Sequence, residues 1–361
     1  MAPSNSQLNR RRKKLRDDTA GTPLSRFGGG PDRTPAQNVA AWHDAVASGT
    51  NHIDFNYRDD DPVRYEFDGP LRAPGGSGLL VTGYGITPQR RATQIYARPG
   101  DYTLFDFTGS QGYTMDGVSV GYATGFHGTL IDASGYKTAS GARREGKMFT
   151  YKNGWLGAFS KMTPPTAVGL RTTMGHGHRV ENYIIGRCSV GVMGREAGEG
   201  GYSNRVYIRD GSFWENVTHI VAAGDGWTIE NATMQQAYGD GKPDRVFRMG
   251  DGHSRPLQSV LWTGLWHGDS DRGVGWELDG VSSMVFQGRY GAAGPEPHTT
   301  IKCTGRVDVL DVSGAYFKGH HAIRHTAVDL GQGLVSDFRG GAYGVPGDEW
   351  YMENPVKGEP I

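Results

Sequence analysis

From about residue 80 to residue 345 the chain is a succession of short segments, each of roughly three to six residues with alternating apolar positions and each closed by Gly, Asn or Asp. TLFDFTG, TMDGVSVGY, GTLIDASG, HRVENYIIG, WTIENATMQ, SVLWTGLW and RVDVLDVSGAYFKG are examples. Alternation over so few residues marks strands, and the closing residue types supply sharp turns. Too few of the turns have hairpin spacing for an antiparallel meander. Short strands joined by arcs suit a parallel solenoid, in which each coil buries its inward side chains only by stacking on its neighbours. Composition agrees: glycine occurs 57 times and hydrophobic residues make up 36% of the chain, a balance of many turns rather than long amphipathic helices. The glycines keep no three-residue period and aromatic residues are spread throughout, which excludes collagen and a disordered chain. The expected fold is all-β, a right-handed parallel β-helix. At about 4.8 Å and on the order of 25 residues per coil, it makes a rod about 50 Å long.

Two appendages precede the rod. Residues 1–24 hold few apolar side chains and read as an extended arm that orders only against a partner. Arg10, Arg11, Arg12, Lys13, Lys14 and Arg16 all come before the first acidic residue, Asp17. The formal net charge is zero, so the remainder, with 38 minus six basic against 38 acidic residues, is mildly acidic. Residues 25–78 contain AQNVAAWHDAV, which places Val39, Trp42, Ala45 and Val46 at helical spacing after Pro35 and predicts one short capping helix over 36–46. Strand-like segments then lead into the β-helix over 79–345, followed by a polar tail, 346–361. Cys188 and Cys303 are too few for a disulfide framework or a four-cysteine zinc site and read as buried thiols. No apolar run approaches the roughly 20 residues that span a bilayer, and no hydrophobic stretch follows the N-terminal charges, so neither a membrane span nor a secretory signal is expected.

The stretch from Ser25 to Gly85 resembles the leading segment of phage tailspikes and pectate-lyase-like β-helix proteins. Phe27 to Gly30 match the opening turn, Ala36 to Val46 the capping helix and Gly78 to Gly85 the turn before the first coil, while Arg33-Thr34-Pro35 stands where that family carries Asp-Asp-Thr. The resemblance implies a virion tail spike or minor tail protein, homotrimeric, made in the host cytoplasm, that contributes to attachment through a host-envelope glycan. The basic arm then docks it to other tail proteins. Six cations in seven positions can also neutralise nucleic-acid phosphates, but nothing else in the chain resembles a nucleic-acid module, so protein docking is the expectation.

The alternative is a tailspike depolymerase, a glycoside hydrolase or lyase, and several residues bear on it. Gly175-His176-Gly177 is similar to the Gly-His-Gly of polygalacturonase-type glycosidases, but residues 133–174 supply Glu145 as their only carboxylate, so a turn is the plainer reading. Glu181, Glu215 and Glu230 each precede Asn, and Asp240, Asp244, Asp251, Asp269 and Asp271 fall on inter-coil loops. A glycosidase draws its two carboxylates from such a set, whereas Glu-Asn and Asp-Gly also close turns by bonding their own backbone. Trp262, Trp266, Trp276 and Tyr290 can form a stacking platform for sugar rings or fill the core. His320, His321 and His325 lack a metal spacing and read as surface or interface residues. No cofactor or metal is expected.

Overall fold

The computed structural model describes residues 21–55, 63–73, 75–84, 93–162, 164–195, 201–235, 245–250, 257–268, 273–292, 298–319, 325–340 and 350–353. The arm residues Arg10 to Arg16 lie outside these, as do Asp240, Asp244, Asp251, Asp269, Asp271, His320 and His321.

Nearly every strand pairs in parallel with the strand one coil away, and two long sheets result. The second sheet has eleven strands among the described residues, from Leu71–Arg72 to Trp350–Glu353. At ~4.8 Å per rung that ladder is on the order of 50 Å long. The first sheet begins as two separate ladders. One runs through His52–Asp54, Leu80–Thr82 and Thr114–Asp116, the other through Val63–Phe67, Thr93–Ala97 and Val118–Tyr122. They fuse at Thr150–Leu156, which pairs with both. From there single bent strands such as Arg179–Gly186 and Val206–Trp214 cross the corner without a break.

The core is a set of columns, because parallel in-register stacking places equivalent positions above one another. In the first half of the bent strands the inward column runs Ile53, Val81, Met115, Tyr151, Val180, Ile208, Ile229, Trp262 and Phe286. In the second sheet it runs Phe105, Ile131, Leu170, Val192, Ile220, Phe247, Trp276, Ile301 and Val328. All of these are buried.

The one α-helix among the described residues, Pro35–Ala47, closes the first coils. Thr34 caps it, accepting from the Gln37 N–H while the Gln37 side chain accepts from the Thr34 N–H, and Pro35 occupies the first turn, where its missing donor costs nothing. Its buried face is Asn38, Ala41, Trp42 and Ala45; Val39 and Val46 only pack at its margin. Asn38 is buried because it bridges the helix to the coil: Oδ1 accepts from the Gly30 N–H and Nδ2 donates to the Glu66 carbonyl. Trp42 plugs the open end against Phe55, Phe105 and Phe107, and its indole N–H donates to the Arg72 carbonyl.

Candidate functional site

Stacking that aligns the core also aligns the outward residues, and this decides what the sequence-nominated residues do. On the first half of the bent strands the outward rungs are Asp116, Lys152, Glu181, Arg209 and Glu230 in register. The charges alternate along the rod. Lys152 lies 3.2 Å from Asp116 and Arg209 3.0 Å from Glu181. Glu181 and Glu230 are therefore two coils apart with a guanidinium between them. Glu215 sits on another corner, where its carboxylate meets the Arg187 Nε at 2.7 Å, both side chains being mostly buried. Arg187 also stacks on the Trp214 ring, 4.3 Å from its centroid.

The asparagines that follow two of these glutamates turn the corner. Gly117, Asn153, Asn182, Asp210 and Asn231 occupy one column, and every one has a positive φ, between 46° and 70°. Asn pays less than most residues for the left-handed region. Its side chains extend the ladder: Asn153 Nδ2 donates to Asp116 at 2.7 Å, Asn182 Nδ2 to Asn153 at 2.6 Å and Asn231 Nδ2 to Asp210 at 3.0 Å.

His176 belongs to a third column. Ser77, Gln111, Lys147, His176 and Asn204 form successive parallel bridges where the second sheet turns into the first. The following residues, Gly78, Gly112, Met148, Gly177, Arg205 and Gly226, all have a φ between 53° and 73°. Both glycines of the Gly-His-Gly are thereby explained. Gly177 takes the left-handed turn, and a Cβ on Gly175 would meet the His178 ring and the Thr172 carbonyl oxygen.

Two carboxylates on adjacent rungs fall outside the sequence-nominated set. Asp106 and Asp132 are adjacent rungs of the second sheet, flanked by Arg72 and Arg171. Oδ1 of Asp106 accepts from the Thr108 N–H and hydroxyl, and Oδ1 of Asp132 from the Ser134 N–H. Arg72 and Arg171 each lie 3.8 Å from the second oxygen of their neighbour. Burial raises the Asp132 carboxyl; Ser134 and Arg171 pull it down and Asp106 pushes it up. In sequence the pair is hidden, since Asp-x-Thr and Asp-x-Ser read as ordinary strand-ending turns.

The aromatic residues proposed as a sugar platform are corrected by the register. Trp262 follows Ile229 in the inward column, and Tyr290 occupies the inward column that ends on Phe317. Trp262, Trp276 and Tyr290 are fully buried. Trp276 holds the cluster together, stacked on Phe247 at 4.8 Å and edge-on to Trp262 at 5.2 Å and Tyr290 at 5.4 Å. Their faces are spent on one another, so none is open to a glycan. The backbone of Trp266 pairs with Tyr290, and the side chains of Trp266 and His325 lie outside the described set. Cys188 and Cys303 are buried free thiols; burial raises both, Cys303 to about 12.

No family model matches the sequence, and no curated protein matches it. Among solved structures, the A-module of the mannuronan C-5 epimerase AlgE6 of Azotobacter vinelandii aligns with a TM-score of 0.55 at 12% identity, covering 94% of this chain and 100% of that one. The chain shares that fold. PfbA, a surface adhesin of Streptococcus pneumoniae, aligns with a TM-score of 0.52 at 8% identity over 90% of each chain. The Dettilon tailspike protein aligns with a TM-score of 0.45 at 13% identity, covering 92% of this chain and 68% of that one. Among the described residues no helix is long and apolar enough to cross a membrane, and no group of three or more His, Cys, Asp or Glu is placed to hold a metal.

Proposed function

We propose that this chain is the rod of a virion tail spike or minor tail protein that contributes to attachment by binding a host-envelope glycan, with Arg10 to Arg16 docking it to neighbouring tail proteins. A trimer of such rods is part of the proposal. The observation that carries the adhesive reading is the engagement of the nominated acids. Glu181 and Glu215 are paired with Arg209 and Arg187, and Glu230 is a rung of the same charged column, leaving none of the three beside a second free carboxylate. The fold does not choose between binding and chemistry, since an adhesin and an epimerase module share it. The virion setting is supported by the likeness of residues 25–85 to tailspike leading segments and by the basic arm.

The depolymerase reading rests on Asp106 and Asp132, carboxylates on adjacent rungs about 4.8 Å apart. Retaining glycosidases hold their pair at roughly 5 Å. One assay separates the readings: purified protein is incubated with host-envelope polysaccharide while binding, reducing ends and the ultraviolet absorbance of unsaturated product are followed. Binding without product is expected. Cleavage that disappears in both Asp106→Asn and Asp132→Asn would replace the adhesive reading with the enzymatic one, and absence of binding would remove both.

A further inference from the structure

Many cations of the rod are paired by the architecture itself, as at Lys152, Arg209, Arg187, Arg171 and Arg248, each with a carboxylate within 4 Å. One corner gathers several that are not. The loop leaving the strand at Thr129–Asp132 forms a hairpin in which Tyr136–Lys137 pairs antiparallel with Arg143–Arg144, and Lys137, Arg143 and Arg144 are all exposed. The same corner of the next two coils carries Arg179 and Arg205, also exposed. None of these five makes an ion pair among the described residues. Of the acids in this region, Glu145 pairs with Lys147 at 3.3 Å and Glu181, two residues beyond Arg179, with Arg209 at 3.0 Å, while the backbone carbonyl of Asp225 accepts from the Arg205 N–H. Tyr207 lies beside them, 41% exposed, with the Arg179 guanidinium 5.9 Å from its ring centroid.

The backbone marks the same place. In the left-handed column beside His176 the residues are glycine at four of six coils, and the two exceptions are Met148 and Arg205, at φ 55° and 53°. A non-glycine residue there costs about 1 kcal/mol or more. The chain accepts that cost at two coils of this corner, at the 64% exposed Met148 and at the unpaired cation Arg205.

We infer that this corner binds an acidic polysaccharide, a chain bearing carboxylate or phosphate groups, laid across three coils and held by Arg143, Arg144, Arg179 and Arg205 with Tyr207 against a sugar ring. The inference rests on the attachment reading above and names the chemistry of the glycan and the surface that takes it. A rod body with more acids than bases repels a polyanion elsewhere, so an uncompensated basic corner fixes where the chain lies.

The test uses the full chain and four probes at low salt: polygalacturonate, poly(glycerol phosphate), neutral dextran and a single-stranded oligonucleotide. Binding to one or both acidic glycans in preference to dextran and the oligonucleotide is expected, with the two separating carboxylate from phosphate as the preferred group. Arg179→Ala/Arg205→Ala and Arg143→Ala/Arg144→Ala should each weaken it roughly tenfold, the sum of two surface charge contacts, and flatten its salt dependence. Arg248→Ala, on the second sheet, should leave it within twofold, and unchanged melting of all three variants shows that folding is not the cause. Acidic glycan bound equally by wild type and both double variants would overturn the basic corner while leaving the attachment reading intact. Failure of the wild type to bind either acidic glycan would end the basic corner and leave attachment to the host-polysaccharide assay above, and equal or tighter binding of the oligonucleotide would assign the corner to nucleic acid instead.

Discussion

His178 and His219 are fully buried, and burial lowers both to about 3 from an ordinary value near 6.5. His219 lies between the Phe213 and Phe247 rings with Nδ1 3.0 Å from the Asn216 amide nitrogen, and His178 Nδ1 accepts from the Phe149 N–H. Both rings are neutral in the folded chain. Because the folded values lie below the unfolded ones, the unfolded chain binds more protons between pH 6.5 and 3, so stability is full above pH 6.5 and falls as the pH falls through that window. Each group contributes about 1.4 kcal/mol per pH unit once below 6.5, which is about 2 kcal/mol at pH 5 and about 4 kcal/mol for the pair. At pH 5 carboxylates of ordinary pKa remain mostly ionised and add little. His219→Phe fills the same aromatic slot and leaves Asn216 Nδ2 its bond to the Ile185 carbonyl. Urea unfolding of wild type and variant at pH 8 and pH 5 checks the sum: wild type should lose about 4 kcal/mol and the variant about half of that. Equal losses in the two proteins would show that His219 is not a buried neutral ring.

Three further outcomes follow from the corners. Asn182→Ala should cost about 1–2 kcal/mol by removing a ladder bond and placing Ala at φ 46°, whereas Asn182→Gly should cost less, as urea midpoints would show. Glu215→Gln, which strands the Arg187 guanidinium against Trp214, should lower stability by about 1–3 kcal/mol and leave glycan binding unchanged, separating a structural carboxylate from a functional one. Met148→Gly should raise the urea midpoint by the equivalent of about 1 kcal/mol, because it relieves a left-handed methionine in a glycine column.

What was legible in the sequence was whatever depends on neighbours along the chain. Pro35 and the spacing of Trp42 and Ala45 were enough for the helix, and Glu181-Asn182 and Glu230-Asn231 were enough for turns. What escaped depends on register. Trp262 and Tyr290 differ from exposed residues only by strand parity, and one residue of slip exchanges the two faces; the ladder through Trp262 is itself irregular between Ile229 and Ala232. Asp106 beside Asp132, and Arg179 beside Tyr207, are neighbours only because intervening loops of unequal length bring each strand back to the same rung. Asn38 went unread because a polar residue on a buried helix face is explained only by the Gly30 and Glu66 backbone it serves.

The charged column through Asp116, Lys152, Glu181, Arg209 and Glu230 repeats every second coil, while the backbone beneath it repeats every coil. Backbone hydrogen bonds and inward apolar residues alone tolerate a strand docking one coil out of place, since the ladder looks alike at each step. The charges do not. A slip of one coil, or loss of one whole coil, sets Lys152 against Arg209 or Asp116 against Glu181, and like charges on facing rungs are destabilising. The rod therefore carries a parity check written in side-chain charge. Excising a pair of coils should be tolerated better than excising one, and a growing stack that skips a rung is met at once by repulsion rather than by a mismatch discovered later in its core.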